Sequence, residues 1–250
     1  MLRVEKVTQV FGGVTALRDV SFSVKEREIK GVIGPNGAGK TTLFNIITGI
    51  YRQTSGNVYL EDRNVTFLPP ERLARRGMVR TFQNVELFGT MTVLENVMVG
   101  LHTKSSGGIV ASALKLPGVL REERRIREKA LACLEFVGIA EHAADIAENL
   151  PFGKGRLLEI ARAMSLDPSI ILLDEPAAGL NARETADLGH LIEKIRSSGV
   201  TVVLVEHDME LVMDICDSIM VLNLGEKLAE GTPREIQEDP KVITAYLGEG

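Results

Sequence analysis

Gly34-Pro35-Asn36-Gly37-Ala38-Gly39-Lys40-Thr41 is the stretch that decides the fold. It fills every fixed position of the phosphate-binding pattern G-x-x-x-x-G-K-[ST]. Before it, Val32 and Ile33 close an apolar, strand-like run; after it, Thr42-Leu43-Phe44-Asn45-Ile46-Ile47 opens a helix that stops at Gly49. A loop between strand and helix turns successive backbone N–H groups into one concavity, and the helix dipole adds positive potential there. Glycines at 34, 37 and 39 let the backbone approach an anion with no Cβ in the way. In such a loop Lys40 reaches the β- and γ-phosphates of a nucleotide, and the Thr41 hydroxyl ligates Mg²⁺. The plainer alternative is a glycine-rich turn that caps a helix, and the agreement of motif with context argues against it.

The rest of the composition narrows the class. A chain of 250 residues is one large domain, or one domain carrying an inserted subdomain. Apolar residues make up 44%, enough for a substantial core, and the net charge of −5 argues against a nucleic-acid binder that works by bulk electrostatics. Cys133 and Cys216 sit in apolar helical patterns without metal-ligand spacing. They read as small core residues, and a reducing compartment fits them. No apolar run approaches the length of a membrane span, and the polar–apolar alternation at the N-terminus does not resemble a signal peptide.

Strand signals fill residues 1–33, with clean alternation at Val20-Ser21-Phe22-Ser23-Val24. Phe11, just before Gly12-Gly13, is either an ordinary strand-end residue or an aromatic that folds back to stack on an adenine ring. Asn57-Val58-Tyr59-Leu60 reads as a strand, and Pro69-Pro70 starts a helix whose arginines, Arg72, Arg75, Arg76 and Arg80, form a solvated basic face. Val79-Arg80-Thr81-Phe82 reads as a short strand with Gln83 at its end. Residues 84–150 lose the strand signal. An amphipathic helix between Arg121 and Gly138 puts Ile126, Ala130, Leu131, Leu134 and Val137 on one face. This points to an inserted helical subdomain over 84–150, within a nucleotide-binding core of 1–83 and 151–250. Beyond it, Ser169-Ile170-Ile171-Leu172-Leu173 and Val200-Thr201-Val202-Val203-Leu204-Val205 are continuous apolar runs, as strands buried on both faces require. Asn181 with Glu184 resembles a helix capping box. Buried strands alternating with helices imply an α/β fold with its ligand at the strands' carboxyl ends. The loop at 34–41, Asp174-Glu175 and His207 all fall at such ends.

Their chemistry is coherent. Alone, Asp174 would read as a turn former; beside a phosphate loop it reads as the carboxylate that Mg²⁺ needs. Glu175 is placed to orient or deprotonate the water that attacks a γ-phosphate. His207 is placed to contact the γ-phosphate or that water, and the Gln83 amide oxygen to meet Mg²⁺ or the water.

With these residues in order, the chain resembles the ATP-binding subunit of an ABC transporter, and the resemblance covers nearly all of it. It implies an α/β P-loop NTPase core (the ABC ATPase fold) with an antiparallel β subdomain and an inserted α-helical subdomain. It implies ATP/ADP and Mg²⁺ as cofactors, with Thr41, Gln83 and Asp174 toward the metal and Glu175, His207 and Gln83 toward catalysis. Phe11 falls where the family has its adenine-stacking aromatic. The nucleotide would lie on Gly34, Pro35, Asn36, Gly37, Ala38, Gly39, Lys40, Thr41, Thr42 and Asp174. A second ATPase subunit, in a homodimer or heterodimer, would close the site in trans through Leu150, Pro151, Phe152, Gly153 and Lys154. A closer resemblance, carried by Arg80-Thr81-Phe82-Gln83-Asn84, Met91-Thr92-Val93-Leu94-Glu95-Asn96, Glu206-His207-Asp208-Met209 and Tyr246-Leu247-Gly248-Glu249, is to the larger ATPase subunit of branched-chain amino acid importers. Importers of urea, short amides or another amino acid look much alike, and a non-transport ABC ATPase fits less well. The importer reading implies integral membrane permease subunits as partners, an indirect link to a periplasmic or extracellular binding protein, no nucleic acid, and a peripheral position on the cytoplasmic face of the membrane. One departure stands out. The family signature reads Leu-Ser-Gly-Gly-Gln, and here it is Leu150-Pro151-Phe152-Gly153-Lys154. Pro151 brings neither hydroxyl nor N–H. Either this signature completes a weaker composite site, with the Lys154 charge compensating in part, or it is drift within a tolerant branch.

Overall fold

The computed structural model describes residues 1–81, 87–102 and 117–247. They divide into two compact units: Met1–Gln83 with Ser169–Gly250, and Asn84–Pro168.

The first unit holds two sheets. In chain order its strands are β1 (Leu2–Phe11), β2 (Val14–Val24), β3 (Ile29–Ile33), β4 (Ser55–Leu60), β5 (Arg63–Asn64), β6 (Met78–Arg80), β7 (Ile170–Asp174), β8 (Thr201–Val205), β9 (Ser218–Asn223) and β10 (Glu226–Gly231). One sheet is antiparallel, ordered β2-β1-β4-β5; the other is ordered β10-β9-β3-β8-β7-β6. The β1–β2 hairpin turns at Gly12 (φ 51°) and Gly13 (φ 92°). Two successive positive φ values are what a tight turn matched to strand twist demands, and glycine supplies them without strain.

In the second sheet β9, β3, β8, β7 and β6 run parallel. Every residue of β3, β7 and β8 is buried, which is why their sequences are apolar runs rather than alternations. The antiparallel edge strand β10 pairs Glu226 with Asn223 and Gly231 with Ile219. Its sequence is charged and largely half-buried or exposed, without the apolar alternation that marks a strand. The core between the sheets is built on Leu2, Val4, Leu17, Phe22, Leu43, Phe44, Ile47, Val205 and Leu222.

After Pro69-Pro70 the structure leaves Arg72, Arg75 and Arg76 exposed, as expected, and corrects only Arg80. The helix there is short, Pro70–Ala74. Arg80 lies beyond it on β6 with its side chain only 6% exposed, as the partner of a buried carboxylate.

In the second unit the helices Val93–His102, Pro117–Val137 and Phe152–Ser165 pack on one another. Ile126, Ala130, Leu134 and Val137 are buried along one stripe, and Gly138 ends the helix at φ 79°. Residues 151–168, assigned by the sequence reading to the core, fall in this unit because the helix Phe152–Ser165 packs against the other two. Among the described residues no helix is long and apolar enough to cross a membrane.

Candidate functional site

The site starts from strand register. Val32 of β3 pairs with Val205 of β8, and Val205 pairs with Asp174 of β7, so three neighbouring strands end level. At a strand spacing of roughly 4.8 Å, the Val32 and Asp174 backbones are about 10 Å apart, with the end of β8 between them. Glu206 and His207 follow β8 directly.

The loop is shaped from below as well as from above. A Cβ on Gly34 (φ +151°) would lie 2.0 Å from the Leu222 carbonyl oxygen, and one on Gly39 (φ +102°) 2.8 Å from the Ala16 carbonyl oxygen. At those two positions glycine is required by the backbone packed beneath. At Gly37 (φ +75°) nothing lies within 4 Å, and the glycine serves the turn alone. The helix Lys40–Ile47 begins at Gly39 with no side-chain cap, so its positive end is not quenched by a protein side chain. Lys40 is 8% exposed, and its Nζ donates to the carbonyl oxygens of Gly34 (2.6 Å) and Pro35 (2.9 Å). Thr41 is exposed and Thr42 half-buried on the first turn.

Asp174 is 4% exposed, and its Oδ2 accepts a 2.6 Å hydrogen bond from Arg80 Nη2. Glu175 has φ 48°, a left-handed backbone that a long side chain adopts only at a cost of about 1–3 kcal/mol. It is held there by Glu175 N donating to Val205 O (2.9 Å) and Ala178 N donating to Glu175 O (3.1 Å). Its Oε1 lies 3.7 Å from His207 Nδ1. Glu175 and His207, read separately from the sequence, are thus neighbours. Beside His207 stands a residue to which the sequence assigns no role. Glu206 is 1% exposed; its Oε1 accepts from Ala177 N (2.7 Å), and its Oε2 accepts from His207 N (2.9 Å) and Asp208 N (3.3 Å). One buried carboxylate therefore ties the turn after β7 to the turn after β8. An acid directly after an apolar parallel strand was the available signal.

Phe11 is 44% exposed and meets Tyr51 edge to face, 5.6 Å between centroids at 76°. An aromatic with an open face on this unit can stack on a flat ring. Gln83 lies outside the described residues.

In the second unit Pro151 caps the helix Phe152–Ser165 and offers it no side-chain hydrogen bond. Leu150 and Gly153 are partly buried, and Phe152 is 55% exposed beside the Arg156 guanidinium, 5.5 Å from its ring. Lys154 Nζ donates to Glu141 Oε1 at 3.3 Å. The Glu141 carboxyl is held below its usual range by its own backbone N–H first and by Lys154 second.

The donor set fits a magnesium-bound nucleotide. The Thr41 hydroxyl and the Asp174 carboxylate are hard oxygen ligands of the kind Mg²⁺ takes, and the uncapped helix start with Lys40 suits the phosphates.

Comparison with known proteins agrees with this arrangement. Residues 17–178 match the family model described as ABC transporter, and residues 226–250 match the one described as branched-chain amino acid ATP-binding cassette transporter. The chain is 49% identical over 250 residues to the high-affinity branched-chain amino acid transport ATP-binding protein BraF of Pseudomonas aeruginosa, covering 100% of this chain and 98% of that one. It is 48% identical, with the same coverage, to the LivG protein of that description from Salmonella typhimurium. Among solved structures it resembles the ADP conformation of MJ1267, an ATP-binding cassette of an ABC transporter. That likeness has a TM-score of 0.87 at 34% identity, covering 99% of this chain and 98% of that one.

Proposed function

The chain belongs to the ABC transporter ATP-binding family, and from that premise we propose that it is the ATP-hydrolysing subunit of an importer for branched-chain amino acids. The observation that carries the chemistry is the level ending of β3, β8 and β7, which groups the phosphate loop, Asp174, Glu175 and His207. The solute class rests on the full-length likeness to BraF and LivG and on the match at residues 226–250.

ATP binds with its phosphates along residues 34–42. Lys40, now on the carbonyls of Gly34 and Pro35, exchanges them for β- and γ-phosphate oxygens, a stronger charge-assisted pairing. Phe11 stacks on the adenine. Thr41, Asp174 and Gln83 would hold Mg²⁺, which would neutralise charge on the phosphate oxygens. Glu175 orients the attacking water and accepts its proton, and its fixed backbone sets the direction of that carboxylate. His207, 3.7 Å from Glu175, contacts the γ-phosphate side. In the assembled pair, Leu150, Pro151, Phe152, Gly153 and Lys154 of this chain close the second ATPase subunit's site in trans, and that subunit's signature closes this one. Closure and reopening drive the permease subunits, and a binding protein outside the membrane delivers the solute. The chain itself sits on the cytoplasmic face, held by protein contacts.

The test is uptake of labelled leucine and urea by vesicles that hold the permease subunits, with this chain and its ATPase partner inside and the binding protein outside. The proposal expects ATP-dependent leucine uptake that is lost when this chain is omitted. Urea uptake without leucine uptake would overturn the solute class. ATP-independent uptake would overturn the role.

A further inference from the structure

We propose that Arg80 is a positioning residue for the metal-ligand carboxylate, and that it joins the phosphate-loop helix to Asp174 through one buried guanidinium. The inference rests on the reading of Asp174 as a magnesium ligand.

Arg80 makes its contacts in two directions. Nη2 donates to Asp174 Oδ2 at 2.6 Å. Nη1 donates to Asn45 Oδ1 at 2.7 Å and to Thr48 Oγ1 at 3.1 Å. The guanidinium carbon lies 5.7 Å from the centre of the Phe44 ring. Phe44 and Asn45 lie in the helix that Lys40 and Thr41 begin, and Thr48 is its C-cap. The side chains of Arg80 and Asp174 are only 6% and 5% exposed, so the pair is shielded from water. A planar fork with fixed charge holds three oxygens and a ring face at once; a lysine ammonium on a flexible stem cannot reproduce that geometry.

The consequence falls on Asp174. Its Oδ2 is engaged by Arg80, while Oδ1 accepts no hydrogen bond from the described residues. The guanidinium therefore fixes the carboxylate's rotamer and leaves one oxygen for a cation. It also opposes that cation, because a fixed positive charge sits on the same carboxylate. Positioning outweighs repulsion here. Without Arg80 no guanidinium holds the carboxylate in one rotamer, and the oxygen it offers a cation is no longer fixed in place. Partners that orient a metal ligand in this way are worth about 10- to 100-fold in metal affinity.

The experiment compares R80Q and R80K with the unaltered chain and with D174N. The readout is binding of a fluorescent ATP analogue in EDTA and across a magnesium titration. R80Q is expected to bind the analogue in EDTA within about twofold of the unaltered chain, since the loop at 34–41 is untouched. Its half-saturating magnesium concentration should rise by about 10-fold or more, with R80K between the two. A purely structural brace would instead weaken binding in EDTA and in magnesium together. R80Q with an unchanged magnesium titration, while D174N shifts it, overturns the proposal. D174N without any shift overturns the reading of Asp174 itself, and the proposal with it. If R80Q does not fold, R80K carries the same comparison, and an R80K titration matching the unaltered chain overturns it.

Discussion

Substituting Glu206 by alanine removes an acceptor shared by Ala177, His207 and Asp208. The carboxylate is 1% exposed and its bonds to Ala177 N and His207 N are 2.7 and 2.9 Å, so two of the three interactions are short and charge-assisted. Such bonds contribute about 1.5–3 kcal/mol each, giving an upper figure of about 3–6 kcal/mol. Two terms reduce it. The alanine no longer buries a charge, and water can reach the N–H groups at His207 and Asp208, which border solvent. Ala177 is buried and its N–H has no such substitute. The net loss is about 2–4 kcal/mol. For a chain of this size, 2–4 °C per kcal/mol makes that a fall in Tm of about 4–16 °C. Function should suffer more than stability alone explains, because the clamp joins the turn carrying Glu175 to the turn carrying His207. Calorimetry of E206A, with kcat and nucleotide affinity measured well below its Tm, checks both parts. Expected are a lower Tm, a kcat reduced by about 10-fold or more, and ATP affinity within a fewfold of the unaltered chain. A Tm within about 1 °C of it, or a kcat loss matched by an equal loss of affinity, refutes the clamp.

P151S restores a hydroxyl at the start of the helix Phe152–Ser165, and the assembled ATPase should turn over faster if the signature limits one composite site; an intact assembly with unchanged turnover assigns the proline to drift. Lys30 is 2% exposed and its Nζ lies 2.7 Å from Glu230 Oε1 and 2.9 Å from Ser218 Oγ, so E230Q leaves a buried ammonium short of its nearer carboxylate and should cost about 2 kcal/mol at pH 7. Burial raises the Glu230 carboxyl, but bonds from Lys227 and Lys30 bring it below its usual 4.5. A depressed folded value stabilises the protein above the unfolded value and is lost as pH falls through the folded one. The Tm curves of E230Q and the unaltered chain should therefore converge below pH 4.5, and a constant gap down to pH 3 would contradict this. Burial first, with Asp217 second, pushes the Cys216 thiol up to about 12. Thiol titration at pH 8 should leave Cys216 unlabelled in the native chain and expose it in denaturant; native labelling of Cys216 would show that this core opens readily.

Much of the fold was legible because the residues concerned answer to local rules. The continuous apolar runs that became β7 and β8 announce buried parallel strands, and Asn181 with Glu184 forms the capping box their spacing suggested. The phosphate loop is legible for the same reason: its glycines and lysine are short-range features. What escaped depends on partners distant in sequence. Arg80 looks like one of four surface arginines until β6 pairs with β7, two residues short of Asp174 in register. Glu206 is only an acid after an apolar strand until the turn at Ala177 folds beside it, and β10 is a strand only because β9 offers an edge. The domain boundary moved for a related reason, since the packing of Phe152–Ser165 is decided by the helices it meets and not by its own pattern.

The central claim is that residues 34–42, Asp174, Glu175 and His207 form one ATP-hydrolysing site that closes against a second subunit. Its most direct test is ATP hydrolysis by the purified chain and by E175Q, followed by sizing of both in ATP and magnesium. The account predicts hydrolysis that E175Q abolishes while ATP binding persists, with an ATP-trapped dimer of the variant. Hydrolysis undiminished in E175Q would contradict it.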